Sequence, residues 1–86
     1  MEQFTYVIKD KDGIHARPAG LLVKQAKQYE NSKITLTKDG DSADLKKLFA
    51  LMKLGIKQGE EVTVTIEGGD ERQAAAVMLD FLQNNL

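Results

Sequence analysis

With 86 residues, 42% of them hydrophobic and 29% charged, the chain has material for one small core, which excludes a disordered tail and a second domain. It contains no cysteine, which excludes disulfides, thiolate metal sites and cysteine catalysis. Its net charge of −1 supplies no positive field for a nucleic-acid backbone, so no nucleic-acid partner is expected.

In chain order, Phe4, Tyr6 and Ile8 alternate with Thr5, Val7 and Lys9, a period of two that predicts a half-buried strand. Residues 10–13 turn the chain. From Ala16 to Tyr29 the spacing becomes helical, with Ala19, Leu22, Ala26 and Tyr29 on one face and Pro18 in the first turn, where proline is tolerated. Ile34 and Leu36 alternate with Thr35 and Thr37 and run into Lys38-Asp39-Gly40-Asp41, a tight-hairpin signal followed by a short strand. Asp44 is the expected N-cap of a short helix from Leu45 to Leu54, which Gly55 stops. After a turn at Gly59, Val62, Val64 and Ile66 alternate with polar residues in the clearest strand of the chain. Asp70 with Gln73 resembles a capping box, and Ala74, Val77, Met78, Phe81 and Leu82 follow at helical spacing.

The order β-α-β-β-α-β-α predicts a two-layer α+β fold over residues 1–86. One domain is expected, a four-stranded antiparallel sheet with three helices on one face. Residues 1–9 lack the basic start of an export signal, and no run approaches the ~20 apolar residues that span a bilayer. A cytoplasmic protein without membrane insertion is therefore expected.

His15, the only histidine, falls between the first strand and the first helix. At the N-cap it would lie beside the backbone N–H groups of Ala16 and Arg17, which have no carbonyl partner within the helix, while Pro18 has none to offer. These donors, the helix dipole and the Arg17 guanidinium favour an anion held on the imidazole. The same helix end disfavours imidazolium and leaves a ring nitrogen free for attack on phosphorus. The nearer nitrogen, Nδ1, is the expected acceptor.

Gly13-Ile14-His15-Ala16-Arg17-Pro18 resembles the phosphohistidine signature of the HPr family, the small phosphocarriers of the bacterial sugar phosphotransferase system. The likeness runs through residues 45–56 and 59–68 and covers essentially the whole chain. It implies an open-faced β-sandwich and a carrier that is not itself an enzyme. It also implies phosphorylation of His15 at Nδ1 by enzyme I, which is charged by phosphoenolpyruvate, and transfer onward to sugar-specific IIA proteins or domains. Arg17 is then the charge partner, Ala16 and Arg17 supply backbone donors, and Pro18 shapes the helix start and the partner surface. Lys24 and Lys27 share the helical side of Arg17 and would steer acidic partners. Leu48, Phe49 and Met52, in a run too apolar for one buried stripe, are candidates for a docking patch. No cofactor and no metal is expected, and the chain is expected to be a monomer. The alternative is a regulatory paralogue that acts through partner binding or nitrogen-related signalling.

Three departures from the family pattern stand out. Lys47 occupies the place of the serine that a kinase phosphorylates in many Gram-positive members, so that regulation is not carried over. One extra residue lies between Tyr29 and Asp39. Gly20 stands in the first helix, where glycine costs about 1 kcal/mol against alanine.

Asp39, Asp41 and Asp44 do not make a calcium loop, because Asp44 and Ala50 stand where glycine and glutamate are needed. Ser32 and Ser42 sit in no nucleophile elbow.

Overall fold

The computed structural model describes residues 1–86. The elements are β1 (Glu2–Val7), α1 (Ala16–Lys27), β2 (Lys33–Lys38), β3 (Asp41–Asp44), α2 (Leu48–Lys53), β4 (Glu61–Glu67) and α3 (Glu71–Asn85). The strands form one antiparallel sheet in the order β1-β4-β2-β3.

β4 is paired on both edges, which explains why its alternation is the clearest in the sequence. Val64 faces Phe4 on one side and Leu36 on the other, and Ile66 faces Ile34. These side chains point to the layer of helices, where Leu22, Val23 and Ala26 of α1 and Ala74, Met78 and Leu82 of α3 are buried against them. Each large side chain so buried contributes roughly 1.5–3 kcal/mol relative to exposure. The other face of the sheet carries Thr5, Thr35, Thr63 and Thr65 and stays open.

The hairpin forms where Asp39-Gly40 predicts it. Lys38 pairs with Asp41, and the two loop residues take positive φ, 51° and 86°. Asp70 caps α3 through its carboxylate, which accepts the Gln73 N–H at 3.1 Å. Gly55, at φ 60°, follows the end of α2 as expected.

Two helices differ from the sequence reading. α1 ends at Lys27 rather than Tyr29, the chain closing with shorter-range turns from Gln28 N–H to the Gln25 carbonyl and Tyr29 N–H to the Ala26 carbonyl. Its buried stripe also takes in Pro18 and Val23. α2 begins at Leu48 with Lys47 as N-cap, not at Leu45 with Asp44. Asp44 still belongs to β3, and Leu45 N–H donates to the Ile34 carbonyl, which prolongs the sheet contact. The Asp44 carboxylate accepts the Lys46 N–H at 2.8 Å and closes a tight turn before the helix.

Gly20 lies in α1, and beyond the helix's own backbone no atom comes within 4 Å of the place a Cβ would take. Gly20→Ala should therefore raise stability by about 0.5–1 kcal/mol, read as a higher urea midpoint at unchanged slope.

Glu60, just before β4, is held below the usual carboxylate range by its hydrogen bond from Lys38 and then by the Lys57 N–H. Because the folded carboxyl titrates lower than the unfolded one, its contribution is present above pH 4.5 and is lost as pH falls through the folded value. Glu60→Gln should accordingly be less stable than wild type at neutral pH. The difference in urea midpoint should shrink and vanish in acid.

Candidate functional site

After β1 the chain is tied down by its backbone at several points. Lys9 and Asp10 both donate to the Leu86 carbonyl, at 2.6 and 2.8 Å, and Gly13 N–H closes a turn onto the Asp10 carbonyl at 2.9 Å. Gly13 takes φ 66°, and Ile14 N–H reaches the Ile56 carbonyl at 3.0 Å. His15 is thereby fixed as the N-cap of α1, with extended backbone at φ −100° and ψ 177°, and its carbonyl accepts the Ala19 N–H at 2.9 Å. No side chain caps this helix and its first turn carries no acidic residue. The N–H groups of Ala16 and Arg17 consequently have no partner within the helix.

His15, Arg17 and Pro18 line a shallow depression of about 170 Å³ together with Asp10, Leu21 and Asn85. The imidazole is 42% exposed and its Nε2 lies 3.5 Å from Asp10 Oδ2. The other Asp10 carboxylate oxygen accepts the Asp12 N–H at 2.8 Å. The arrangement offers a reachable ring nitrogen, free backbone donors and a guanidinium, which together suit a small anion. Ligand atoms of Asp10, Asp12 and His15 also lie within 4.8 Å of one another, a spacing from which a divalent cation could be reached. The sequence reading assigned no metal to these residues.

Arg17, Lys24 and Lys27 are all exposed on α1. Lys24 and Lys27 stand roughly 10 and 15 Å farther along the helix axis than Arg17 and do not line the depression. In α2 the apolar run divides. Leu51 is in the core, Leu48 and Met52 are partly buried against it, and Phe49 is 82% exposed.

Three residues of the depression were missed in the sequence: Asp10, Leu21 and Asn85. Asp10 had a legible signal, since Asp-x-x-Gly marks a turn that brings the chain back on itself. Leu21, 47% exposed, sits one helical turn beyond Arg17 and Pro18 and was also within reach of periodicity. Asn85 arrives only through tertiary packing of the end of α3.

The family model for the phosphotransferase-system HPr component phosphorylation site matches residues 2–84. The chain is 35% identical over 85 residues to the phosphocarrier protein HPr of Mycoplasma genitalium, covering 99% of this chain and 97% of that one. Its structure is similar to that of HPr-C-His from Thermoanaerobacter tengcongensis, with a TM-score of 0.92, 37% identity, and coverage of 98% of this chain and 93% of the other. It is also similar to Crh, the Bacillus subtilis catabolite repression protein, solved as a domain-swapped dimer, with a TM-score of 0.77, 34% identity, and coverage of 100% and 98%. A swapped dimer among such relatives runs against the expectation of a monomer, because the same fold closes within one chain or between two.

Proposed function

The chain belongs to the HPr family of phosphocarriers of the phosphotransferase system, and from this we propose that it carries a phosphoryl group on Nδ1 of His15. In this reading enzyme I supplies the group in the cytoplasm, sugar-specific IIA proteins or domains receive it, and residues 1–86 act as one unit. The observation that carries the reading is the half-exposed imidazole at the uncapped start of α1, with Arg17 beside it. The lone pair of Nδ1 attacks phosphorus. The free N–H groups of Ala16 and Arg17 and the Arg17 guanidinium receive the phosphoryl oxygens, whose negative charge the helix end favours. The protein is a stoichiometric carrier rather than an enzyme, since its open depression leaves the donor and acceptor chemistry to the partners.

Docking uses the surface around the depression, namely Arg17, Lys24 and Lys27 on α1 and Phe49 with the exposed parts of Leu48 and Met52 on α2, whereas Pro18, buried in the first turn of α1, shapes the helix start and offers partners little surface. Phe49 contributes little to the core because it is 82% exposed. Phe49→Ser should therefore leave thermal stability within about 0.5 kcal/mol of wild type. It should slow phosphoryl uptake from enzyme I chiefly through weaker association, on the scale of 1 kcal/mol or more for a lost aromatic anchor.

The experiment that tests the reading follows radioactive phosphoenolpyruvate through enzyme I to this protein and on to a sugar IIA acceptor. One acid-labile, alkali-stable phosphoryl group per chain, chased onto the acceptor, is the expected result. The similarity to Crh favours a second reading, a regulatory member that signals through partner binding. Label that is taken up from enzyme I and never reaches a sugar IIA acceptor would select it.

A further inference from the structure

The carrier reading makes no use of Asp10, although its carboxylate is the acidic group closest to the His15 ring. We propose that Asp10 is a positioning residue: it holds the imidazole with its proton on Nε2 and balances the charge that develops on the ring as Nδ1 bonds phosphorus. The inference rests on the reading of His15 as the phosphoryl acceptor.

The geometry is built rather than incidental. Asp10 Oδ2 faces Nε2 at 3.5 Å, and Oδ1 is held by the Asp12 N–H at 2.8 Å. The Asp10 main chain is fixed at both ends, its N–H on the Leu86 carbonyl and its own carbonyl receiving the Gly13 N–H. The carboxylate is therefore aimed at the ring. A separation of 3.5 Å is an ion-pair distance rather than a short hydrogen bond, and such contacts tighten when the ring gains charge. The other charged groups at the ring are Asp12, whose carboxylate belongs to the same cluster, and Arg17, which lines the same depression. Asn85, from α3, is neutral.

A carboxylate beside Nε2 favours the tautomer that carries its proton there, so the lone pair stands on Nδ1. In the first transfer that pair forms the N–P bond while the bond from phosphorus to the donor atom breaks, its electron pair returning to the donor. The ring keeps the Nε2 proton and becomes a phosphorylated cation facing Asp10. In the second transfer the acceptor's lone pair forms its bond to phosphorus and the Nδ1–P pair returns to the ring. Because Nε2 has kept its proton, the leaving group is neutral imidazole and not imidazolate. One carboxylate thus serves both transfers, without being consumed or protonated in either.

The test compares wild type with Asp10→Asn, Asp10→Glu and Asp12→Asn, each measured with chelator and again without it. Asparagine can still accept the Asp12 N–H, so the turn is preserved while the charge is removed. In Asp10→Asn, nitrogen NMR of the ring should show the Nε2-protonated tautomer losing ground to the Nδ1-protonated one. Phosphoryl uptake and onward transfer should both slow by roughly tenfold, well short of the ~10⁴ supplied by a buried carboxylate partner in the serine-protease triad. Hydrolysis of the phosphoprotein should fall off at lower pH than in wild type, and Asp10→Glu should recover part of each effect. Asp12→Asn should change these readouts less than Asp10→Asn. An Asp10→Asn protein with wild-type tautomer, rates and pH profile overturns the role of Asp10, even with His15 as the carrier. Effects of Asp10→Asn that occur only when chelator is omitted overturn it too, by assigning Asp10 to a cation. If His15→Ala is labelled like wild type, the carrier reading itself fails, an outcome distinct from both.

Discussion

Replacing His15 with alanine should reduce phosphoryl uptake from phosphoenolpyruvate and enzyme I to background while leaving the fold in place. The first half follows from chemistry, since no other histidine exists in the chain to form an acid-labile N–P bond. The second follows from position. The His15 side chain makes no capping hydrogen bond and is 42% exposed, so its removal takes away neither a helix cap nor a core contact. A stability change within about 0.5 kcal/mol is expected, as for an ordinary surface substitution. Labelling and a urea titration on the same preparation separate loss of the acceptor from loss of the protein. Label retained on the alanine variant would remove His15 from the mechanism.

The largest effect on stability is expected two residues earlier. Gly13 has φ 66°, and a Cβ there would run into the Ile56 carbonyl oxygen and come within 2.8 Å of the Lys57 Cα. The left-handed conformation alone costs a non-glycine residue roughly 1–2 kcal/mol. Moving the Ile56 carbonyl also loses its hydrogen bond from Ile14 N–H, at roughly 1–3 kcal/mol when a buried group is left unpaired. Gly13→Ala should therefore destabilise by about 3 kcal/mol, measured as a fall in urea midpoint. Gly40→Ala is the matched control. Gly40 has φ 86° but nothing within 4 Å of its missing Cβ, so only the conformational cost of about 1 kcal/mol applies. Equal losses in the two variants would show that the crowding at Ile56 carries no weight.

Legibility followed how local the cause of each feature was. β4 and α3 announce themselves because their periodicity and, for α3, the Asp70 cap lie within the segment itself. The start of α2 does not, because Asp44 had two local uses. Pairing with Thr35 keeps it in β3, so its carboxylate serves the turn before the helix and not the helix end. The site divides along the same line. Gly13 to Pro18 is contiguous, and its arrangement at a helix start could be reasoned from residue types alone. Lys24 and Lys27 are exposed, as their place off the buried stripe of α1 implies, and helical rise sets them beyond the residues that line the depression. Asp10 and Asn85 join the depression through the turn at Gly13 and the packing of α3, neither of which helical or strand periodicity encodes.

The backbone ties of residues 9–14 to Ile56 and Leu86 bear on how the protein meets its partners. A carrier must dock on one protein, leave it and dock on another, so each complex has to be productive without being long-lived. A loop that ordered itself on contact would subtract its conformational entropy from every association. Here that ordering cost is met during folding, so in the proposed role His15 would reach each encounter prearranged, and a small, shallow contact would suffice.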